Sequence, residues 1–159
     1  MTVAEKLGRS YTTKPLRDDL LSAGPASLDL RLSTTAPQTN IWAVVSDVWP
    51  NGTPHPMAAG RLNSDFPDID RARSLRDPRS GAIVQPYGRY DRRRPATPGR
   101  ARRYRVELWP IGNRFRAGHR IRLSLLGASG ASLPSAPGID SIAIGGRRGA
   151  RLHLPVLPG

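Results

Sequence analysis

The chain has 159 residues, 16 of them glycine and 16 proline, with hydrophobic residues at 38%. That is enough for one domain with a real core and short for two ordinary ones. There is no cysteine, so disulfides, thiolate catalysis and thiolate metal sites are excluded. No apolar run approaches the roughly 20 residues of a helical membrane span, and the polar start at Met1–Ser10 has no secretory apolar core. A cytoplasmic setting is the default expectation. The net charge of +13 is almost wholly arginine, because Lys6 and Lys14 are the only lysines. A phosphate-binding surface usually mixes the two cations, so this ratio reads as a compositional bias and nucleic-acid binding as an outside alternative.

In chain order, residues 1–22 read as a lead-in and 23–159 as the domain. Ala26–Ser33 alternates, with Leu28, Leu30 and Leu32 on one face and Ser27, Asp29 and Arg31 on the other. Ile41–Val48 is rich in β-branched residues and suits a central strand. It ends at Trp49, Pro50, Asn51 and Gly52, where the Asn51-Gly52 pair predicts a reversal into a returning strand over Met57–Leu62.

From Ser64 to Arg100 no clear period is visible. Asp65, Asp68 and Asp70 fall here, then a short helix over Arg71–Arg76 that Asp68 or Asp70 would cap. Tyr87, Tyr90 and the Arg92–Pro95 run follow. An irregular connection of this length tends to be functional or docked on a partner. Phe66, Ile69, Ile83, Val84 and Tyr87 are its candidate apolar docking contacts, towards another domain or a second copy of the chain.

Strands resume at Arg103–Trp109, where Tyr104, Val106 and Leu108 alternate with Arg105 and Glu107, before Pro110–Asn113 breaks the pattern. His119–Leu125 alternates most cleanly, with His119, Ile121, Leu123 and Leu125 on one face. Ile139–Ile144 and Ala150–Leu157 complete the set, and Pro155 suits the last to an edge. Seven to eight strands separated by turn signals describe an all-β sandwich. All three tryptophans, Trp42, Trp49 and Trp109, lie in strand patterns, so at least two are expected to be buried.

Three segments together resemble a known family: Gly24–Leu32 running into Ser46–Gly52, then Val106–Pro110 followed by Phe115–Leu123, then Ala150–Val156. They are similar to the C-terminal domain of the Xaa-Pro dipeptidyl-peptidase and CocE/NonD (cocaine-esterase-like) serine hydrolases. The positions that carry the likeness are Asp47, Pro50, Gly52, Phe115, Gly118, His119, Arg120 and Arg122. Asn51 and Asn40 depart mildly, standing where the family commonly has Asp. The resemblance covers about Tyr11 to Gly159 and implies a galactose-binding-like jelly-roll that packs beside an α/β-hydrolase domain, the part that carries the Ser-His-Asp triad and the dipeptidyl-peptidase or esterase activity. It further implies an accessory role for this chain, packing against the catalytic domain in cis, or in trans if the chain stands alone, and shaping access to its site. Nothing ahead of Tyr11 is long enough to be that catalytic domain. A stand-alone carbohydrate- or ligand-binding jelly-roll is the alternative reading.

The Gly-x-Ser-x-Gly nucleophile elbow is absent, Gly127–Ala131 being its nearest approach. His55, His119 and His153 are far apart in sequence and have no neighbouring acid, so His119 reads as a structural histidine and His55 as a surface residue. No histidine spacing fits zinc. Asp65, Asp68 and Asp70 lack the glycine turn and bidentate Glu of a calcium loop and are expected to pair with Arg71, Arg73 and Arg76. Arg103, Arg105 and Glu107 read as a solvated strand face and Tyr104 as core. No catalytic residue, metal or cofactor is expected.

Overall fold

The computed structural model describes residues 8–127, 136–146 and 149–157. These residues form ten strands: β1 (Arg9–Thr12), β2 (Leu20–Thr34), β3 (Asn40–Val48), β4 (Pro54–Asn63), β5 (Ile69–Arg76), β6 (Ile83–Gly88), β7 (Arg102–Phe115), β8 (Arg120–Leu126), β9 (Asp140–Ile142) and β10 (Arg151–His153). One sheet runs β1-β8-β3-β4 and the other β10-β2-β7, with β9 also on β2, and every pairing is antiparallel. β2 and β3 are consecutive yet lie in different sheets, as do β7 and β8, so the β2–β7 and β3–β8 pairs belong to opposite layers of an all-β sandwich.

The period of two decides which side chains fill the space between the layers. Leu28 pairs with Val106 and Leu30 with Tyr104 across the β2–β7 ladder, and with Leu32 and Leu108 in the same inward phase all six are buried. Ile41, Ala43 and Val45 of β3 and Ile121, Leu123 and Leu125 of β8 supply the opposing layer. Each large side chain so buried contributes roughly 1.5–3 kcal/mol. Gly60 of β4 sets how closely β4 and β7 approach, since a Cβ there would lie 1.9 Å from the Glu107 carbonyl oxygen.

Two bulges set the phase of the strand ends. Gly24 pairs with Ile111 but Ala26 pairs with Leu108, so β7 carries the extra residue, at Trp109 and Pro110. The strand therefore continues through Pro110–Asn113 instead of ending there. Proline is tolerated because β7 is an edge strand and the bulge removes a ladder bond. The inward set moves from even to odd numbers, and Ile111 and Phe115 are buried. On β4, Met57 is the extra residue between the partners of Val45 and Ser46.

The described part of the lead-in, from Gly8 on, is structural. Residues 9–12 form an edge strand on β8, and β2 begins at Leu20, inside the segment read as a linker. The 64–100 segment is less irregular than its sequence suggests. β5 and β6 make a two-stranded ribbon, and the helix expected over Arg71–Arg76 is replaced by strand. Asp70 Oδ1 still accepts from the Ala72 and Arg73 amides at 2.9 and 3.1 Å, a single tight turn where the register slips. Six residues cannot repay helix nucleation when a ladder partner is at hand.

Candidate functional site

Both segments that carry the family likeness end at the same pole of the sandwich. The reversal after β3 is a tight one: the Gly52 amide donates to the Trp49 carbonyl at 2.8 Å, the Trp49 amide donates to Thr53 at 3.0 Å, and Gly52 has φ +87°. Asn51 keeps a negative φ and its side chain accepts from the Thr53 amide, so only the glycine enters the left-handed region. Ahead of β8, Gly118 has φ +81° and the His119 amide closes a turn onto Arg116. Leu16 of the lead-in bonds both sides of that turn, accepting from Gly118 and donating to His119. A Cβ on Gly118 would lie 3.9 Å from Pro50 Cγ, so the two turns abut.

Asp47 continues the inward phase of Val45, and His119 that of Ile121. On adjacent strands this brings them together, and His119 Nδ1 donates to Asp47 Oδ1 at 2.9 Å. The bulge in β7 turns Asn113 to the same point, where its amide donates to Asp47 Oδ2 at 3.4 Å. Trp49 lies 6.0 Å from the His119 ring and stacks on His55 at 4.2 Å. These residues, with Met57, Arg114 and Arg116, line a shallow cleft of about 510 Å³. His119 therefore does have an acid to orient it, although the sequence separates them by 72 positions. His55 is half-buried against Trp49 rather than a plain surface residue, and its Nε2 is buried without a partner among the described residues. An aspartate-oriented histidine is two-thirds of a triad, but the lining of this cleft offers no hydroxyl or thiol to serve as nucleophile. As built, the pair joins two turns.

The other positions of the family pattern fall into place around it. Phe115 is fully buried, Pro50, Gly52 and Arg120 are exposed, and Arg122 Nε donates to Thr12 of β1 at 3.0 Å. The nearest approach to a nucleophile elbow, Gly127–Ala131, lies outside the described residues beyond Gly127.

The candidate docking residues do not form a bare apolar face. Phe66 packs on the core with its ring 5.5 Å from Tyr90, and Ile69, Ile83 and Val84 are half-buried. Tyr87 is 42% exposed, with the Arg73 guanidinium 3.7 Å over its ring. Two of the three acidic residues pair with arginine, though not with their sequence neighbours: Arg93 reaches Asp65 at 2.6 Å and Arg94 reaches Asp68 at 2.7 Å, while Asp70 accepts from backbone amides. Among the described residues no three His, Cys, Asp or Glu side chains cluster as a metal site requires.

Two expectations fail outright. Trp109 is 73% exposed and Trp49 46%, while Trp42 is half-buried, so at least two tryptophans are not buried. Trp109 simply continues the outward phase of Arg105 and Glu107, ahead of the bulge that returns Ile111 to the core. Nor are Arg103 and Arg105 a simple solvated face. Both pair with Asp29 of β2, and Arg105 is only 18% exposed. Burial, then the Arg103 charge, hold the Arg105 guanidinium below its usual range, with Asp29 opposing. Tyr104 is core as expected.

Two packed antiparallel sheets and a pole built on two abutting, Asp–His-joined turns define an all-β sandwich domain. The chain belongs to the family of the X-Pro dipeptidyl-peptidase C-terminal non-catalytic domain, whose model matches residues 2–146. It is 28% identical over 153 residues to a protein named as a serine esterase in Mycobacterium bovis, and equally to a counterpart in Mycobacterium tuberculosis. In both cases 93% of this chain is covered, and it spans about a quarter (24%) of the length of those curated relatives. Among solved structures, a CocE/NonD family hydrolase from Staphylococcus aureus superposes with a TM-score of 0.82 at 17% identity, over 97% of this chain and 31% of that one. An α-amino acid ester hydrolase matches at 0.71 and 16%, over 93% and 25%. These structural likenesses establish the fold. Among the described residues no helix is long and apolar enough to cross a membrane.

Proposed function

We propose that this chain is a non-catalytic, jelly-roll accessory module of a serine hydrolase, packing against the α/β-hydrolase domain and shaping access to its active site. The observation that carries the reading is one of extent: nearly the whole chain matches a quarter to a third of each larger hydrolase. Within it, Asp47 and His119 serve as a clamp that fixes two turns at one pole. The 64–100 segment supplies part of the docking face, with Tyr90, Leu75 and Tyr87, at 64%, 51% and 42% exposure, as its most accessible large side chains beside Phe66, Ile69, Ile83 and Val84.

The test uses the Mycobacterium bovis relative with its matching segment removed. Its own segment, added back, should restore a complex, and this chain should form one too, changing KM for bulky esters more than for small ones. If the native segment rebinds and this chain does not, the packing role is contradicted.

A second reading gains from the tryptophans. Exposed Trp49 and Trp109 are the kind of surface on which a sugar ring stacks, so a ligand-binding module is favoured by an observation the sequence did not predict. Quenching of tryptophan emission by oligosaccharides, lost in Trp109→Ala, checks it.

A further inference from the structure

The alternation that sends leucine and tyrosine inward on the second sheet sends arginine outward. The register sets Asp29 between Arg151 of β10 and Arg105 of β7, and Arg31 beside Arg103. The β5–β6 ribbon walls this outer face with Arg71, Arg76 and Ile83, leaving a cleft of about 340 Å³, a small-molecule size. Six guanidinium groups line it, and Asp29 is the sole carboxylate. Arg103 holds both Asp29 oxygens, Arg105 Nε lies 3.7 Å from one of them, and Arg76 donates to the Gly81 carbonyl at 3.1 Å. Among the described residues Arg31, Arg71 and Arg151 have no ion-pair partner.

An arginine-rich composition alone would scatter these charges over the surface. Here three strands and a ribbon gather them in one recess, where mutual repulsion is less screened than on an open face. The effect on neighbours is visible. Arg105 is held below its usual range by burial first, then by Arg103, with Arg71 and Arg76 adding to it. His153, at the same cleft, is held low by burial and by Arg151, Arg103 and Arg105, with Asp29 opposing. A ligand with several negative oxygens would relieve the repulsion, and guanidinium forks match phosphate and carboxylate geometry.

We propose that the cleft between the β5–β6 ribbon and the outer face of β10-β2-β7 binds a small multivalent oxyanion, held by Arg31, Arg71 and Arg151 with Arg76, Arg103 and Arg105 behind them. This site is distinct from the Asp47–His119 pole and does not depend on the accessory reading.

Calorimetric titration of the full chain with tripolyphosphate and, separately, citrate at about 0.15 M salt tests it. One equivalent should bind per chain, and the Arg71→Ser, Arg151→Ser variant should bind about tenfold more weakly or worse. The Arg17→Ser, Arg61→Ser variant removes the same charge from exposed positions elsewhere and should bind as the parent does. Preference for tripolyphosphate assigns a phosphate ligand, and preference for citrate a polycarboxylate; either supports the site. Absence of binding by both anions overturns it, as does equal weakening in the two variants. Binding of single-stranded DNA that rises with length and falls equally in both variants would overturn it too, marking a diffuse polyanion surface.

Discussion

His119 donates from Nδ1 to Asp47 Oδ1 at 2.9 Å, across the start of β8 and the end of β3, with both side chains largely buried. Removing one partner leaves the other short of a bond in a dry place. His119→Ala should therefore cost about 2 kcal/mol in urea unfolding, and Asp47→Ala a similar amount. The double variant should fall well short of their sum, because the second loss has no bond left to break. Additive losses would mean that the contact contributes nothing to stability.

Gly60 makes room for a neighbouring backbone rather than for an unusual φ. A methyl group there meets the Glu107 carbonyl of β7, which cannot swing aside as a side chain would. Gly60→Ala should cost about 1–3 kcal/mol through overpacking. An unchanged denaturation midpoint would show that β4 and β7 approach less closely than described.

Phe115 and Trp109 lie on the same strand, six residues apart, on either side of the change of phase. Phe115 is fully buried, so Phe115→Ala should cost about 3–5 kcal/mol. Trp109→Ala, at 73% exposure, should stay within about 0.5 kcal/mol. The same urea titrations check both, and a large loss at Trp109 would contradict its outward placement on β7.

Stability should fall as pH drops through the ordinary histidine value of 6.5, through His153. Burial holds its folded value lower, so over that window the unfolded chain takes up a proton that the folded chain refuses. The decline ends once the folded imidazole also protonates. His153→Gln should flatten the slope between about pH 7.5 and pH 5.5. Identical slopes in parent and variant would show that His153 is not held low.

The alternating strands were legible because one face of each is buried, and period-two patterning reports burial directly. Leu28, Leu30 and Leu32, Tyr104, Val106 and Leu108, and Ile121, Leu123 and Leu125 were all identified that way. The bulge in β7 was not, because Pro110 and Gly112 read locally as a break and only the partner strand shows that pairing resumes. With the bulge missed, the inward turn of Asn113 was out of reach, whereas the outward place of Trp109 already followed from the alternation of Arg105 and Glu107. Asp47 and His119 each stood out in the sequence, but their contact is long-range and depends on β3 and β8 being neighbours. The β5–β6 ribbon hid behind a loop-like composition, its register interrupted by the Asp70 turn. A signal for the basic cleft was present, since Arg31, Arg103, Arg105 and Arg151 all hold outward phases. Read one strand at a time, it looked like ordinary solvated charge.

On the proposed reading, this domain carries no hydrolytic centre of its own. Incubating the purified chain with a fluorophosphonate, and following its intact mass alongside turnover of p-nitrophenyl esters and Xaa-Pro anilides, tests that most directly. An unmodified mass and no saturable turnover above the buffer rate are expected. Stoichiometric labelling of one serine, together with saturable hydrolysis that the label abolishes, would contradict it.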